Sequence, residues 1–176
     1  MLPQIALNGT RPVKVPPPPH FQHLHGTPKH VRFRSSGAEG SKGLTAAQKA
    51  GLRYEAKAQD HLSRTLGEDY HIAPYLHFTD LHGLRRTCVP DGILFDNRGG
   101  AIIFEIKISH VPDAWWQLRK LYQPVLEQLG YVSEVSVIEV VRSYDPSQAF
   151  PEEVSIIRGL DGLGQSNRFR VLLWRP

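Results

Sequence analysis

A short stretch of the chain, residues 89–107, combines acidic and basic side chains with apolar runs. Asp91 follows Pro90 just before one apolar run, and Glu105 and Lys107 lie inside a second run that reads AIIFEIKI. Charges in such a run need a reason, because a buried charge without a partner is costly. Carboxylates are favoured ligands of Mg²⁺, and a neighbouring lysine can orient a water and stabilise charge on a phosphate. These residue types therefore indicate chemistry on a phosphate group.

The same stretch predicts a β-hairpin that brings these side chains together. Its predicted strand, turn and second strand are residues 93–95, 97–100 and 101–108. Because side chains alternate along a strand, Glu105 and Lys107 share one face, and Phe104 and Ile106 share the other. Asp91 lies at the start of the first strand, within reach of Glu105 across the hairpin. The alternative is an ordinary hairpin that carries a surface ion pair.

A spacing of 13 residues separates Pro90-Asp91 from Glu105-Ile106-Lys107. This pattern resembles the signature of the PD-(D/E)xK nuclease superfamily, whose members share the restriction-endonuclease-like fold. The resemblance covers residues 44–141. It implies an α/β fold with an αβββαβ core, in which helices flank a mixed central sheet. It also implies hydrolysis of DNA phosphodiester bonds that depends on Mg²⁺ or Mn²⁺.

The resemblance implies a role for each matched residue. Asp91 and Glu105 would bind one or two Mg²⁺ or Mn²⁺ ions, and the main-chain carbonyl of Ile106 would be a further ligand. Lys107 would position the attacking water and stabilise the pentavalent phosphate.

A helix is expected upstream of the hairpin. Thr45 and Gln48 fit a capping box, and an apolar face with helical spacing continues to about Gly67.

Within this helix, Gly51 and Glu55 are similar to the Gly-x-x-x-Glu of several branches of the superfamily. In those branches the glutamate reaches the metal directly or through a water, so Glu55 is a further candidate for the metal shell. Alternatively, Glu55 pairs with Gln59 or with a cation near Lys57.

The other predicted elements are a strand at residues 70–78, a loop at 79–87, a helix from Asp113 to Gly130, and strands at 135–141, 156–157 and 169–174. Asp113 is the predicted N-cap of the second helix, and Pro124 is expected to kink it. The single cysteine, Cys88, is expected to be buried in a strand. The order helix, three strands, helix, strand agrees with the core of the superfamily.

Five residues are candidates for contacts with the substrate. Arg85 and Arg86 precede the motif and could hold DNA phosphates, although a solvated turn is equally compatible. Gln117 and Lys120 lie early in the second helix and could contact a phosphate or a water. Tyr122 follows Gln117 with one residue more than the Gln-x-x-x-Tyr of the exonuclease-like branch.

The pair Trp115 and Trp116 has two interpretations. Aromatic faces stack on bases of single-stranded or frayed DNA. More often, such a pair gives one buried ring and one that is partly exposed.

The composition of the 176 residues is that of a globular protein, with 40% hydrophobic and 22% charged residues. No apolar run is long enough to span a bilayer, and the N-terminus lacks the features of a signal peptide. One cysteine cannot form an internal disulfide, which suits a reducing compartment. These features favour a cytoplasmic protein, in a bacterium or a phage-infected cell, or one associated with a virion.

The first 43 residues are predicted to form an extended, basic arm ahead of a domain at residues 44–176. Residues 1–44 carry a net charge of +5 in a chain of +4, which leaves −1 for the remainder. The arm is rich in proline and glycine, and the run Pro16–Pro19 should form polyproline II. Its histidines could bind a metal or, more in keeping with a linker, contact phosphates: His20, His23, His25 and His30.

Together these features predict a Mg²⁺-dependent deoxyribonuclease whose partner is DNA. The alternative is a protein with a nuclease fold that binds DNA or serves assembly, for example in a phage particle or a mobile element, anchored by its arm to a protein partner. RNA is a less favoured substrate, since no RNA-binding motif is visible. A homodimer is compatible with the sequence.

Overall fold

The computed structural model describes residues 44–79, 84–96, 98–128, 132–148 and 150–176, together with the backbone of residues 31–33. The described residues form nine strands: β1 Val31–Phe33, β2 Tyr70–Ile72, β3 Pro74–Thr79, β4 Arg85–Cys88, β5 Gly92–Phe95, β6 Gly100–Ser109, β7 Glu134–Ser143, β8 Val154–Ile157 and β9 Phe169–Leu173. Their helices are α1 Ala46–Leu66, α2 Pro112–Trp116 and α3 Gln123–Gln128.

Helix α1 begins and ends as the sequence predicts. The Thr45 hydroxyl accepts a hydrogen bond from the Gln48 main chain, and the Gln48 side chain accepts one from Thr45 N–H. Gly67 ends the helix with φ of 74°, a conformation that glycine adopts without strain.

A mixed six-stranded sheet forms the centre of the protein, in the order β2-β5-β6-β7-β9-β8. The strands β2, β5 and β6 are antiparallel neighbours, whereas β6, β7, β9 and β8 run parallel to one another. The α/β class with helices flanking a mixed sheet is therefore confirmed. In the chain, α1 precedes the strands of this sheet, and α2 and α3 lie between β6 and β7.

Helices cover both faces of this sheet. On one face, α1 buries Tyr54, Ala58 and Leu62 against Phe104 and Ile138. On the other face, α2 and α3 pack on the sheet together with β3 and β4, in a cluster that includes Leu76, Cys88, Ile103, Val125 and Val137. The predicted burial of Cys88 is confirmed, and burial raises the pKa of its thiol to about 12.

The predicted strand 70–78 is wrong as a single element. It breaks at Ala73, where φ is 45°, into β2 of the large sheet and β3 of a second sheet in the order β1-β3-β4. The predicted loop 79–87 is wrong at its end, because β4 occupies Arg85–Cys88, while residues 80–83 lie outside the described residues. Three exposed polar residues precede the buried Cys88 in β4, so this strand lacks the alternation that identifies a half-buried strand.

The predicted N-cap at Asp113 is wrong by two residues. Val111 caps α2 with an extended backbone, and Pro112 occupies the first helical position, where its missing N–H has no cost. A π-helical segment, Gln117–Tyr122, joins α2 to α3. This wider turn relieves the clash that the Pro124 ring would otherwise make with the carbonyl four residues earlier. The helix type thus changes just before Pro124, and the kink itself stays a prediction.

Strand β1 pairs antiparallel with β3, so three residues of the predicted arm belong to a sheet. The proline run, the histidine tract and the basic residues of 1–30 and 34–43 lie outside the described residues, as does Gly130. Within the described part, no helix is both long and apolar enough to cross a membrane.

Candidate functional site

Hydrogen bonds to its main-chain carbonyl fix the position of Asp91 just before β5. That oxygen accepts hydrogen bonds from the Gln59 side chain of α1 (2.6 Å) and from Ala73 N–H (2.9 Å). Tyr70 O–H donates to the Gln59 side chain in turn (2.7 Å). A Cβ on Gly92 would lie 2.2 Å from the Tyr70 hydroxyl, so only glycine fits after Asp91. The bend at Ala73 and the helix α1 therefore fix the position of the Asp91 backbone.

The predicted hairpin places the motif side chains together. Asp91 Oδ2 accepts a hydrogen bond of 2.6 Å from Ile106 N–H, which continues the bonding between β5 and β6. Lys107 Nζ donates to Glu105 Oε1 at 2.5 Å. Glu105 and Lys107 share the face of Ile103, and Phe104 and Ile106 the opposite face, as expected.

Glu105 is deeply buried, with only 2% of its surface exposed. Its second oxygen, Oε2, has no hydrogen-bond partner among the described residues. The alternative of an ordinary surface ion pair is therefore wrong, because one member is removed from solvent and only half satisfied. The side chain of Lys107 is 33% exposed and connects this buried acid to the surface.

The carboxyl groups of Asp91, Glu105 and Glu55 all lie close enough to Lys107 for its positive charge to act on their pKa values. Burial and the neighbouring Asp91 raise the pKa of Glu105 from its ordinary 4.5 to about 8. Burial raises the pKa of Asp91, and burial together with Asp91 raises the pKa of Glu55. Burial pulls the pKa of Lys107 down, but the adjacent carboxylates, Glu105 foremost, raise it overall. When all these groups ionise, negative charge exceeds positive charge, which favours an additional cation.

Glu55 lies on α1 at the wall of a cleft of about 400 Å³. The opposite wall is the end of β6, including Ile106 and Lys107, and the cleft continues to Val111. The alternative pairing of Glu55 with Gln59 is wrong, because the Gln59 amide binds Asp91 and Tyr70. The helical position of Glu55 thus brings it beside the motif strand.

The candidate substrate residues occupy different places. Tyr122 is buried, its hydroxyl donates to the Val89 carbonyl (3.3 Å), and burial and then Glu105 raise its pKa. Gln117 is half-buried at the start of the π-helical segment. Lys120 is exposed, with its ammonium 5.4 Å from the centre of the Trp115 ring. Arg85 and Arg86 are exposed on β4. None of these five side chains lines the described cleft.

The tryptophan pair follows the second of its two interpretations. Trp115 is buried, and its indole N–H donates to Glu152 Oε1 at 2.6 Å. Trp116 is partly buried and packs against the cluster of α2, α3 and the sheet. Stacking of a base on the Trp115 ring is therefore excluded by its burial.

Two buried residues beside the motif were missed by the sequence analysis. Glu139 of β7 is fully buried and pairs in register with Glu105 of β6, so the two acids are neighbours on one face. It binds the ring of His110 and accepts a hydrogen bond from Val111 N–H (3.2 Å). The signal was available, since Glu139 also interrupts an apolar run, VSVIEVV.

The donor set fits a Mg²⁺ or Mn²⁺ ion that keeps waters in its shell. Across the described ranges, no three His, Cys, Asp or Glu side chains form a metal site by themselves. Mg²⁺, however, is usually bound through one or two carboxylates, with waters and substrate phosphates completing its shell. The unpartnered Oε2 of Glu105 and the adjacent carboxyl group of Asp91 match that requirement.

Comparisons of the chain with models of protein families, with curated proteins and with solved structures give no significant match. The class that the structure itself defines is an α/β protein with a buried acidic cluster at one end of a mixed sheet.

Proposed function

We propose that the protein is a metal-dependent nuclease that hydrolyses DNA phosphodiester bonds and has the restriction-endonuclease-like core. The observation that carries the proposal is the buried Glu105, whose Oε2 lacks a partner while Asp91 and Lys107 lie beside it. A protein that needed only stability at this position would gain by replacing such an acid with an apolar residue. A cation supplies the positive charge that this cluster lacks, and a substrate phosphate can complete the shell of that cation.

The chain's own residues have distinct roles in this proposal. Asp91 and Glu105 would hold Mg²⁺ or Mn²⁺, Glu55 would act from α1, and the carbonyl of Ile106 would add a ligand by analogy with the superfamily. The bound ion would supply a Lewis acid and make water more acidic. Lys107, held by Glu105, would orient the attacking water and stabilise charge on the phosphate.

A cleavage panel tests the proposal. Labelled linear duplex, branched and single-stranded DNA are incubated with the full chain in Mg²⁺, in Mn²⁺ or in EDTA. Cleavage is expected only with a metal. Asp91→Asn and Lys107→Ala should each lower the rate by at least about 100-fold, the scale of a lost electrostatic or acid–base group. The product lengths distinguish endonucleolytic from exonucleolytic action.

Matched variants separate the site from general effects of charge. Glu68→Gln removes an exposed acid next to Gly67, and Lys57→Ala removes an exposed lysine of α1. Both should cleave as the wild type does. Full activity of the folded Asp91→Asn and Lys107→Ala proteins would refute the assignment, as would cleavage that EDTA leaves unchanged.

A second candidate is a nuclease-like protein that binds DNA or serves an assembly without cutting. One observation favours it: Ile106 N–H already occupies one oxygen of Asp91. In the same panel, this candidate predicts retarded DNA in EDTA and no products in either metal.

A further inference from the structure

Gly51 is unexplained by the fold alone. It lies in the middle of α1, where glycine is less favourable than alanine by about 1 kcal/mol. A Cβ at this position would meet no atom within 4 Å, so packing does not require a glycine. Its backbone does not need a positive φ either, since the glycines with positive φ among the described residues are Gly67 and Gly99. Gly51 instead leaves room in the wall of the cleft.

Leu52, on the same wall of the cleft, is a second residue that indicates a bound ligand. This residue is 51% exposed, and it is one of the large apolar residues that the fold leaves in solvent. On the opposite wall, Ile108 and Val111 add apolar surface, and Lys107 and Glu55 are the charged groups that line the cleft. The cleft thus pairs an apolar wall with one lysine beside the acidic cluster.

We propose that this cleft holds one unpaired nucleotide of a single-stranded DNA, with its base or sugar against Gly51 and Leu52 and a phosphate at Lys107. The proposal rests on the proposed nuclease function, because it places the nucleotide next to the residues that would cut it. It assigns single-stranded or frayed DNA as the substrate class.

Size and charge favour this occupant. A cleft of about 400 Å³ falls at the small end of the range of roughly 300–1,000 Å³ that holds compact ligands. A nucleotide belongs to that class, whereas a duplex would lie across the mouth. A base that is already unpaired enters such a pocket at the lowest energetic cost, and apolar side chains can pack on its faces. Lys107 is the positively charged side chain that lines the cleft, so the cleft can hold one phosphate group of a strand.

Filling the cleft tests the proposal. The variant Gly51→Leu would occupy the open space, and it should fold at least as stably as the wild type because leucine is the better helix former. Ala56→Leu is the matched control at an exposed position of the same helix. Binding of the full chain to a fluorescent oligo(dT), to the same strand with one abasic site, and to a closed duplex circle is measured by anisotropy in EDTA.

Gly51→Leu should weaken binding of oligo(dT) by roughly tenfold, the effect of one base contact, while Ala56→Leu binds as the wild type does. The closed duplex should bind more weakly than the single strand. Equal binding of Gly51→Leu and wild type would overturn the proposal, and so would a duplex that binds as tightly as the strand. A concentration-dependent dimer that Gly51→Leu abolishes would also overturn it, because a second copy would then fill the cleft.

The binding assay separates this inference from the nuclease function. If Gly51→Leu loses binding while the wild type cuts no DNA in any metal, the cleft proposal stands and the hydrolase proposal fails. If the wild type cuts with Mg²⁺ and Gly51→Leu binds and cuts normally, the hydrolase proposal stands and the cleft proposal fails.

Discussion

Burying Glu105 beside Asp91 removes two carboxyl groups from the water that would stabilise their charges. Lys107 compensates one oxygen of Glu105, and Ile106 N–H compensates one oxygen of Asp91. Burial, and then the charge of the neighbouring Asp91, raise the pKa of Glu105 to about 8. At the scale of single residues, the site is therefore costly in the absence of a cation.

This cost predicts an unusual dependence of stability on pH. Because the folded-state pKa of Glu105 is raised from 4.5 to about 8, the folded protein binds the proton more tightly than the unfolded chain. The stabilisation by this proton is complete at pH values below the unfolded-state pKa of Glu105, and it is lost as the pH rises through the folded-state pKa. In EDTA, the contribution of Glu105 to the free energy of unfolding, measured by urea denaturation, should be smaller at about pH 8 than at about pH 5. The groups Asp91 and Glu55, whose pKa values are also raised, act in the same direction.

The variant Glu105→Gln isolates this effect. The difference in free energy of unfolding between wild type and Glu105→Gln should change with pH in favour of the variant as the pH rises. Glu68→Gln, which removes an exposed acid, should show no such change. A difference that stays constant across this range would mean that Glu105 titrates normally.

At the scale of elements, Glu139 of β7 binds the short connection between the end of β6 and the start of α2. Its carboxylate binds the His110 ring and Val111 N–H, directly after the segment that carries Lys107. The other ring nitrogen of His110 is buried without a partner among the described residues. Glu139 therefore supports the strand end on which the lysine is placed.

Removing this support should be destabilising. Glu139→Ala leaves the buried His110 ring and Val111 N–H without their acceptor, and we expect a loss of about 2–4 kcal/mol in the free energy of unfolding. Glu134→Ala changes an exposed acid on the same strand and is the matched control. Urea denaturation compares the two, and equal stabilities would show that Glu139 is dispensable.

The elements that could be predicted from the sequence are those with a strong periodic pattern. The capping box of Thr45, the hairpin of β5 and β6 and the apolar β7 each leave a clear local signal. Strand β4 does not, because its pairing with β3 is a tertiary contact. For the π-helical segment, the nearby Pro124 predicts an irregularity but not its type. The motif residues of the site were likewise visible as charges in an apolar run, whereas Gln59 acts through its three-dimensional position under Asp91.

At the scale of the whole molecule, charge is divided between two parts of the chain. Residues 1–44 carry +5, and the remainder carries −1. Polyanion binding should therefore depend on the arm, and each neutralised phosphate contributes to the salt dependence of affinity.

Replacing Arg11, Lys14 and Lys29 by glutamine should reduce the slope of log affinity for single-stranded DNA against log salt. The expected reduction is up to about 2, from a contribution of roughly 0.7 per phosphate contact. A control with Lys57, Arg98 and Arg158 changed to glutamine has the same loss of charge at exposed positions outside the arm. An equal reduction in both proteins would show that the arm has no special part in binding.

The central claim is that Asp91 and Glu105 share a divalent cation. The most direct measurement is equilibrium binding of Mn²⁺ to the full chain, followed by electron paramagnetic resonance of the free ion. One or two ions should bind to the wild type, and Asp91→Asn and Glu105→Gln should each weaken that binding by at least about tenfold, while Glu68→Gln leaves it unchanged. Absence of Mn²⁺ binding by the wild type, or unchanged binding in both site variants, would contradict the account.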